Sequence, residues 1–339
     1  MESFLLLFQN DKSWENVVYY YRNEGETFPK EVTMTKKMSI FASPKAVLPV
    51  ALCAAFLWGC AYPALKGGYE AFGVGSGDVP ALLLFAGVRF LLAGLATLVI
   101  AGLVSRKMPI PESAGLPAIG SLALLQTFGQ YSFYYVGLAN TTGVRASILN
   151  ATSSFVTVVL SGILWKQRER LTMKKVIGCT MGLGGVVLVN LGSGAGGAPF
   201  VFQGEGMILM ASLMMSLGSV ASKLTMEGQD PLTITGWQLS MGGLGLLIIG
   251  KLSGGGLNPP SGKGIALMAL MVFISAVAFT LWTTLLKLHS VSKVAVYSFL
   301  TPIFGAMLSG LFLGEELLSP VTLGALALVA SGIWLVNQD

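Results

Sequence analysis

The sequence predicts an all-α integral membrane protein of ten transmembrane helices, arranged as two inverted five-helix repeats. Three observations carry that expectation: apolar runs long enough to cross a bilayer, lysine and arginine concentrated in alternate loops, and a second half that echoes the first. Hydrophobic residues fill 53% of the 339 positions and charged residues 11%, where a soluble domain carries roughly 25% charged. The 43 glycines suit helices that approach closely in lipid, where apolar burial gives no incentive to pack.

Residues 1–45 stand apart from the rest. Between Asp11 and Lys37 the chain is charged and reads as irregular, without the apolar core and small-residue cleavage site of a secretory signal. A cytoplasmic tail fits this stretch, and so does an over-extended gene start ahead of Met34. From Pro44 onward, apolar runs able to cross about 30 Å of hydrocarbon recur with short polar breaks. The expected spans are 46–66, 80–104, 114–137, 141–164 and 174–191, then 204–224, 230–251, 263–287, 291–313 and 319–336. A linker over 192–203, rich in glycine, separates a first repeat (46–191) from a second (204–336).

With the amino terminus inside, the cytoplasmic loops and helix ends collect Lys36, Lys37, Lys45, Arg106, Lys107, Lys166, Arg168, Arg170, Lys174, Lys175, Lys223, Lys287 and Lys293. The outer set holds Lys66, Lys251 and Lys263. This bias predicts a cell-membrane protein with both termini cytoplasmic, and it accounts for the net charge of +5 without nucleic acid. The halves also align. Gly87-Val-Arg-Phe-Leu-Leu-Ala-Gly-Leu95 matches Gly236-Trp-Gln-Leu-Ser-Met-Gly-Gly-Leu244, and Gly185-Val-Val-Leu-Val-Asn190 matches Gly332-Ile-Trp-Leu-Val-Asn337. Because five is odd, the second half enters the membrane from the opposite side. Such inverted repeats are typical of secondary transporters, with the solute held near the midplane between halves.

The order of these features resembles the drug/metabolite transporter superfamily, in its ten-helix EamA branch. The resemblance rests on Trp58-Gly59 followed by Lys66, on Arg89-Phe90-Leu91, and on Pro302 ahead of Leu313-Gly-Glu315. It covers about 46–336. The first half departs from the pattern, with Gln167-Arg-Glu169 in place of the Leu-Gly-Glu turn and no proline matching Pro302. The resemblance implies export or exchange of metabolites, amino acids or drug-like compounds.

Arg89 lies about nine residues into its helix, where a charge is costly unless it faces a cavity or a partner. It could meet an anionic group on the solute; a structural or snorkelling arginine is the blander reading. The repeat counterpart is neutral Gln238. Polar stripes run along the third helix (Gln126, Gln130, Tyr134), the fourth (Ser147, Asn150, Ser154, Thr157, Ser161) and the sixth (Ser212, Ser216, Ser219, Lys223). Hydroxyls and amides have no partner in lipid, so the stripes should face inward, either lining a wet cavity or joining helices. With Tyr62, Tyr131, Trp282 and Tyr297 as possible pocket walls, the candidate binding set is Arg89, Gln130, Tyr134, Asn150, Ser154, Trp282 and Tyr297. Lys66, Arg145, Lys223 and Lys293 are candidates for gates or helix ends.

No metal site or cofactor is expected. Cys53, Cys60 and Cys179 form no CxxC, and His289 is the one histidine, against a Cys/His ligand set. Gly256 to Gly262 with Lys263 departs from P-loop spacing and lacks the Ser/Thr. HExxH and GxSxG are absent. The acidic residues all fall in the tail, loops or helix ends, so a carboxylate proton relay is not expected; Glu205, at the start of the sixth helix, is the weakest point of that reading. The sequence therefore points to a non-enzymatic carrier of a small organic solute in a lipid bilayer, as monomer or homodimer, working by alternating access, with Pro63 and Pro302 as hinges. A channel or selective pore is the alternative.

Overall fold

A computed structural model describes residues 16–21, 30–35 and 41–338, apart from 76, 112–114, 142, 166–169, 192–199, 227–228 and 314–319. Several helical side chains, including those of Tyr62, Lys66, Arg145 and Ser147, fall outside the described set, as do the Gln167–Glu169 and Gly314-Glu315 turns. Within the tail, β1 (Asn16–Tyr21) and β2 (Lys30–Thr35) pair antiparallel, Asn16 opposite Thr35. A stretch expected to be irregular thus carries a hairpin, built from β-branched and tyrosine residues that favour extended backbone.

From Pro44 the described chain is helical. α1 spans Pro44–Phe72, with Pro49 and Pro63 inside it, and closes on Gly73 in the left-handed conformation (φ 67). α2 is Val79–Ser105. α3 (Leu116–Leu122) runs through a π-helical stretch, Ala123–Gly129, into α4 (Gln130–Ala139). α5 is Gly143–Leu164 and α6 is Met173–Leu191. A π-helical turn, Phe202–Gly206, opens α7 (Met207–Thr225), followed by α8 (Pro231–Leu252) and α9 (Gly262–Leu288). α10 (Val291–Ala295) tightens to a 3₁₀ turn, Val296–Phe299, before α11 (Leu300–Leu313); α12 is Pro320–Val336. Among the described residues, five helical stretches are long and apolar enough to cross a membrane: Pro44–Leu65, Val79–Ser105, Phe202–Thr225, Pro231–Leu252 and Gly262–Leu288. Shorter apolar helices cover Leu149–Leu164, Val291–Gly305 and Ala327–Val336.

The starts of α2 and α8 share one device. Asp78 Oδ1 accepts from the Ala81 N–H at 3.0 Å, and Asp230 Oδ2 from the Thr233 N–H at 2.8 Å. Each carboxylate satisfies an orphan amide and meets the positive end of the helix dipole. A proline in each first turn supplies no N–H that would need a partner.

α2 and α8 then pack backbone against backbone. Cβ atoms added at Gly87, Gly94, Gly243 and Gly250 would overlap Leu247, Ser240, Leu91 and Leu84 in turn, and one at Gly236 would lie 2.6 Å from Leu98 Cγ. Positions rise along one helix as they fall along the other, so the two are antiparallel. Leucine on one side fills the gap left by glycine on the other, which is how dispersion alone can hold helices in lipid. α6 and α12 repeat the device, with a Cβ at Gly178 only 2.7 Å from the Gly332 carbonyl. α1 packs on α9 and α11, while α7 packs on α4 and α5.

Two apolar clusters fill the interior. One gathers Ala51, Ala55, Val158, Trp282, Leu286, Val294 and Phe299; the other gathers Phe85, Phe90, Tyr135, Met271 and Phe279. Trp58 packs against both, its ring 5.5 Å from Phe279 and 5.2 Å from Trp282. The candidate site lies around that junction.

Candidate functional site

Arg89 is 3% exposed and lies about 15 Å along α2 from Val79 at 1.5 Å per residue, close to the middle of that helix. Its Nε donates to Ser275 Oγ at 2.9 Å, and Ser275 is the central residue of α9. The guanidinium carbon lies 4.9 Å from the Phe90 ring centroid. Among the described residues Ser275 is its one hydrogen-bond partner and no carboxylate pairs with it. Arg89 is thus buried, and its one described hydrogen bond leaves from Nε.

Aromatic rings surround this charge. Phe90 meets Tyr131 at 4.4 Å with the rings tilted by 45°, and meets Phe279 edge-on at 6.2 Å. Tyr131 and Tyr134 both neighbour Tyr135, at 6.1 and 6.0 Å. Tyr69, near the end of α1, lies within electrostatic reach of Arg89, Tyr134 and Tyr135. The expected pair Arg89 and Tyr134 therefore belong to one neighbourhood, with Gln130, buried, one turn before Tyr134. The π-helical stretch ending at Gly129 resets the register of the third rod just before Gln130; such segments concentrate at functional sites.

Seven residues after Ser275, on the same face of α9 and about 10 Å further along, Trp282 forms a second pole. Its ring is buried, but Nε1 has no hydrogen-bond partner. Nor do Asn150 Oδ1 on α5 and Thr301 Oγ1 on α11. Ser154, one turn from Asn150, hydrogen-bonds Ser298 in the 3₁₀ turn, beside Tyr297. A buried polar atom left unpaired costs about 1–3 kcal/mol, and these three stand on α9, α5 and α11. Pro302 contributes here, since it has no N–H to give the Ser298 carbonyl.

The sixth-helix stripe has a different part. Ser212 Oγ donates to the Leu149 carbonyl at 3.0 Å and Ser216 Oγ to the Ser153 carbonyl at 2.9 Å. These hydroxyls fasten α7 to α5, and Thr157 and Ser161 bond their own helix at Ser153 and Val158. Of these four, Ser212 and Ser216 make the interhelical bonds. Gln126 faces Gly218 on α7 with Oε1 unpartnered, while Gln238 Oε1 accepts from Thr127 at 2.9 Å.

At the carboxyl-terminal ends of α7 and α9, Lys223 Nζ donates to the carbonyls of Lys287 (3.1 Å) and His289 (2.7 Å), capping α9. Lys287 Nζ donates to the Gln229 carbonyl at 2.6 Å. The ends of α7 and α9 thus hold each other. His289 Nε2 donates to the Phe41 carbonyl at 2.8 Å, tying the segment before α1 to the same point. Burial pushes the His289 pKa down; the Phe41 bond opposes this, and the Lys223 charge adds to it. Lys293, on α10, is half-buried. Glu205 is buried at the start of the sixth rod, accepting from Thr141 Oγ1 at 2.6 Å and from the Val201 N–H at 2.8 Å.

Sequence reasoning missed Ser275, Phe279 and Tyr69, and named Trp58 and Lys287 without placing them near the site. Serine in an apolar helix carries little information alone; its central position in α9, seven residues before Trp282, was the available sign.

A sequence profile for the EamA-like transporter family matches residues 46–191 and again 202–338. Among curated relatives, the chain is 30% identical over 258 residues to an uncharacterized transporter, YvbV, of Bacillus subtilis, covering 75% of this chain and 82% of that one. It is 29% identical over 294 residues to a chloroplastic WAT1-related protein of Arabidopsis thaliana (83% and 67% covered). An uncharacterized inner membrane transporter of Escherichia coli, YedA, is 28% identical over 286 residues (83% and 87%). A solved crystal structure superposes with a TM-score of 0.69 at 24% identity, over 87% of this chain and 98% of that one, which bears on the fold alone.

Proposed function

Because this multi-pass membrane protein belongs to the EamA-like transporter family, we propose that it is a secondary carrier, moving a small organic solute across the cell membrane by alternating access between two inverted five-helix halves, as export or exchange. The observation that carries this reading is the α2–α8 contact. The alignment that lays Gly87 on Gly236 also lays Leu91 on Ser240, Gly94 on Gly243 and Leu98 on Leu247. Under it, the contact of Gly87 with Leu247 becomes that of Gly236 with Leu98, and Gly94 with Ser240 becomes Gly243 with Leu91. An antiparallel contact that maps onto itself is what a two-fold axis in the membrane plane produces. The α6–α12 contact supports the same axis, as do the two separate profile matches. This reading has ten crossings with both termini on one side, which the lysine and arginine bias makes the cytoplasmic one.

Mirrored halves supply two equivalent gates around one central site. Arg89, Gln130 and Tyr134 form its upper part and Asn150, Ser154, Trp282 and Tyr297 its lower part; the crossed bonds of Lys223 and Lys287 close its inner end. Purified protein in liposomes, preloaded with unlabelled solutes from a panel of carboxylates, amino acids and nucleosides, should accelerate entry of the matching labelled solute. Saturable counterflow identifies a carrier; strictly linear flux identifies a pore.

A further inference from the structure

The geometry points to a solute that carries a single negative charge on an aromatic or apolar body, bound with its anionic group on Arg89, and taken in preference to zwitterions and amines. This rests on the carrier reading and names its substrate class.

The argument begins with an unbalanced charge. Arg89 is buried at the middle of α2, and its described bonding is one link from Nε to a neutral hydroxyl. The terminal nitrogens retain four N–H donors in a planar fork, a geometry matched to carboxylate or sulfonate oxygens. A cation at this depth persists only beside a partner or a cavity, and the protein supplies no carboxylate partner among the described residues. The acids nearest in sequence to the described rods, Glu70, Asp78, Glu205 and Asp230, stand at helix ends, and no Asp or Glu occupies the central part of any rod. A solute ammonium would therefore meet an uncompensated guanidinium and no anion, so a zwitterion gains at one end what it loses at the other.

The surroundings fix the remainder of the solute. Phe90, Tyr131, Tyr135, Phe279 and Trp58 connect Arg89 to Trp282 through ring contacts of 4.4 to 6.2 Å. They suit a flat apolar body. The unpartnered Trp282 indole N–H, about 10 Å from the level of Ser275, can take an acceptor at the far end of a longer solute.

The test uses four compounds sharing one ring: phenylacetate, L-phenylalanine, 2-phenylethylamine and 2-phenylethanol. Each is titrated calorimetrically into the detergent-solubilised full chain at pH 7.5. Phenylacetate should bind most tightly. Arg89→Gln should weaken it about 10- to 100-fold, the range expected for a charge-assisted hydrogen bond, and leave 2-phenylethanol unchanged. Arg89→Lys, which keeps the charge, should recover part of the loss and serves as the variant to read should the glutamine protein elute aggregated. Equal or tighter binding of phenylalanine or the amine overturns the proposal, as does absence of phenylacetate binding, or an equal loss for phenylacetate and the alcohol. Anion-selective binding without counterflow would sink the carrier reading and leave the site standing. Counterflow indifferent to Arg89 would do the reverse.

Discussion

Single residues at this site are defined by what they lack. Trp282 packs its ring on Trp58 yet leaves its N–H without an acceptor. Trp282→Phe keeps most of that packing and loses no internal hydrogen bond, so it should cost less than about 1 kcal/mol of stability while weakening solute binding. A fall of several degrees in melting temperature with affinity unchanged would assign the indole to packing alone. His289 is defined by its place between Phe41 and Lys223. Its pKa is held below 6.5, chiefly by burial, so the fold favours the neutral ring. Its contribution is present above pH 6.5 and is lost as pH falls through the lowered value. Melting followed from pH 7.5 to about 5 should show an acid-side loss in the wild type that is shallower in His289→Gln. Matching slopes would remove the histidine from the acid response.

At the scale of elements, close backbone approach does most of the structural work. Gly87 and Gly243 sit where a methyl group would overlap the facing helix. Alanine at either site should cost about 1–3 kcal/mol by overpacking, measured as a lower melting temperature in detergent. Gly184, on α6, has open space where its Cβ would be, so Gly184→Ala should be neutral or slightly stabilising. If all three behave alike, glycine acts through backbone entropy and the interface argument fails. Elsewhere the rods are interrupted on purpose. The π-helical stretch before Gln130 and the 3₁₀ turn before Pro302 both sit beside the orphan polar atoms. Irregular backbone at membrane depth is tolerated where it faces protein or a cavity.

For the whole molecule, the crossed lysine bonds tie the ends of α7 and α9 together, and in the proposed carrier they hold that side shut. Opening that side must break three lysine-to-carbonyl bonds. Lys223→Met should therefore shift the population toward an inward-open form. Single cysteines introduced on α5 and α11, facing the centre, should then react faster with a reagent applied from the cytoplasmic side. Unchanged labelling would make Lys223 a helix cap and nothing more. The proposed inverted arrangement would place both chain ends in one compartment, which impermeant labelling of tagged termini in intact cells can check; labelling of one end alone would refute the ten-crossing reading.

The amino-acid sequence alone was enough to establish a membrane-embedded helical transporter of the EamA-like family, because hydropathy and motif order are local and survive without any knowledge of contacts. The depth of Arg89 was legible for the same reason. Which faces meet was not. Ser275 stands 186 positions from Arg89, and the serines of α5 and α7 look alike in sequence although Ser154 faces the 3₁₀ turn while Ser212 and Ser216 fasten helices together. In lipid an apolar surface is equally content against acyl chains or another helix. Hydrophobicity therefore marks no inner face, and only the fit of leucine into glycine gaps across distant helices decides which polar atoms are joined and which are left unpaired.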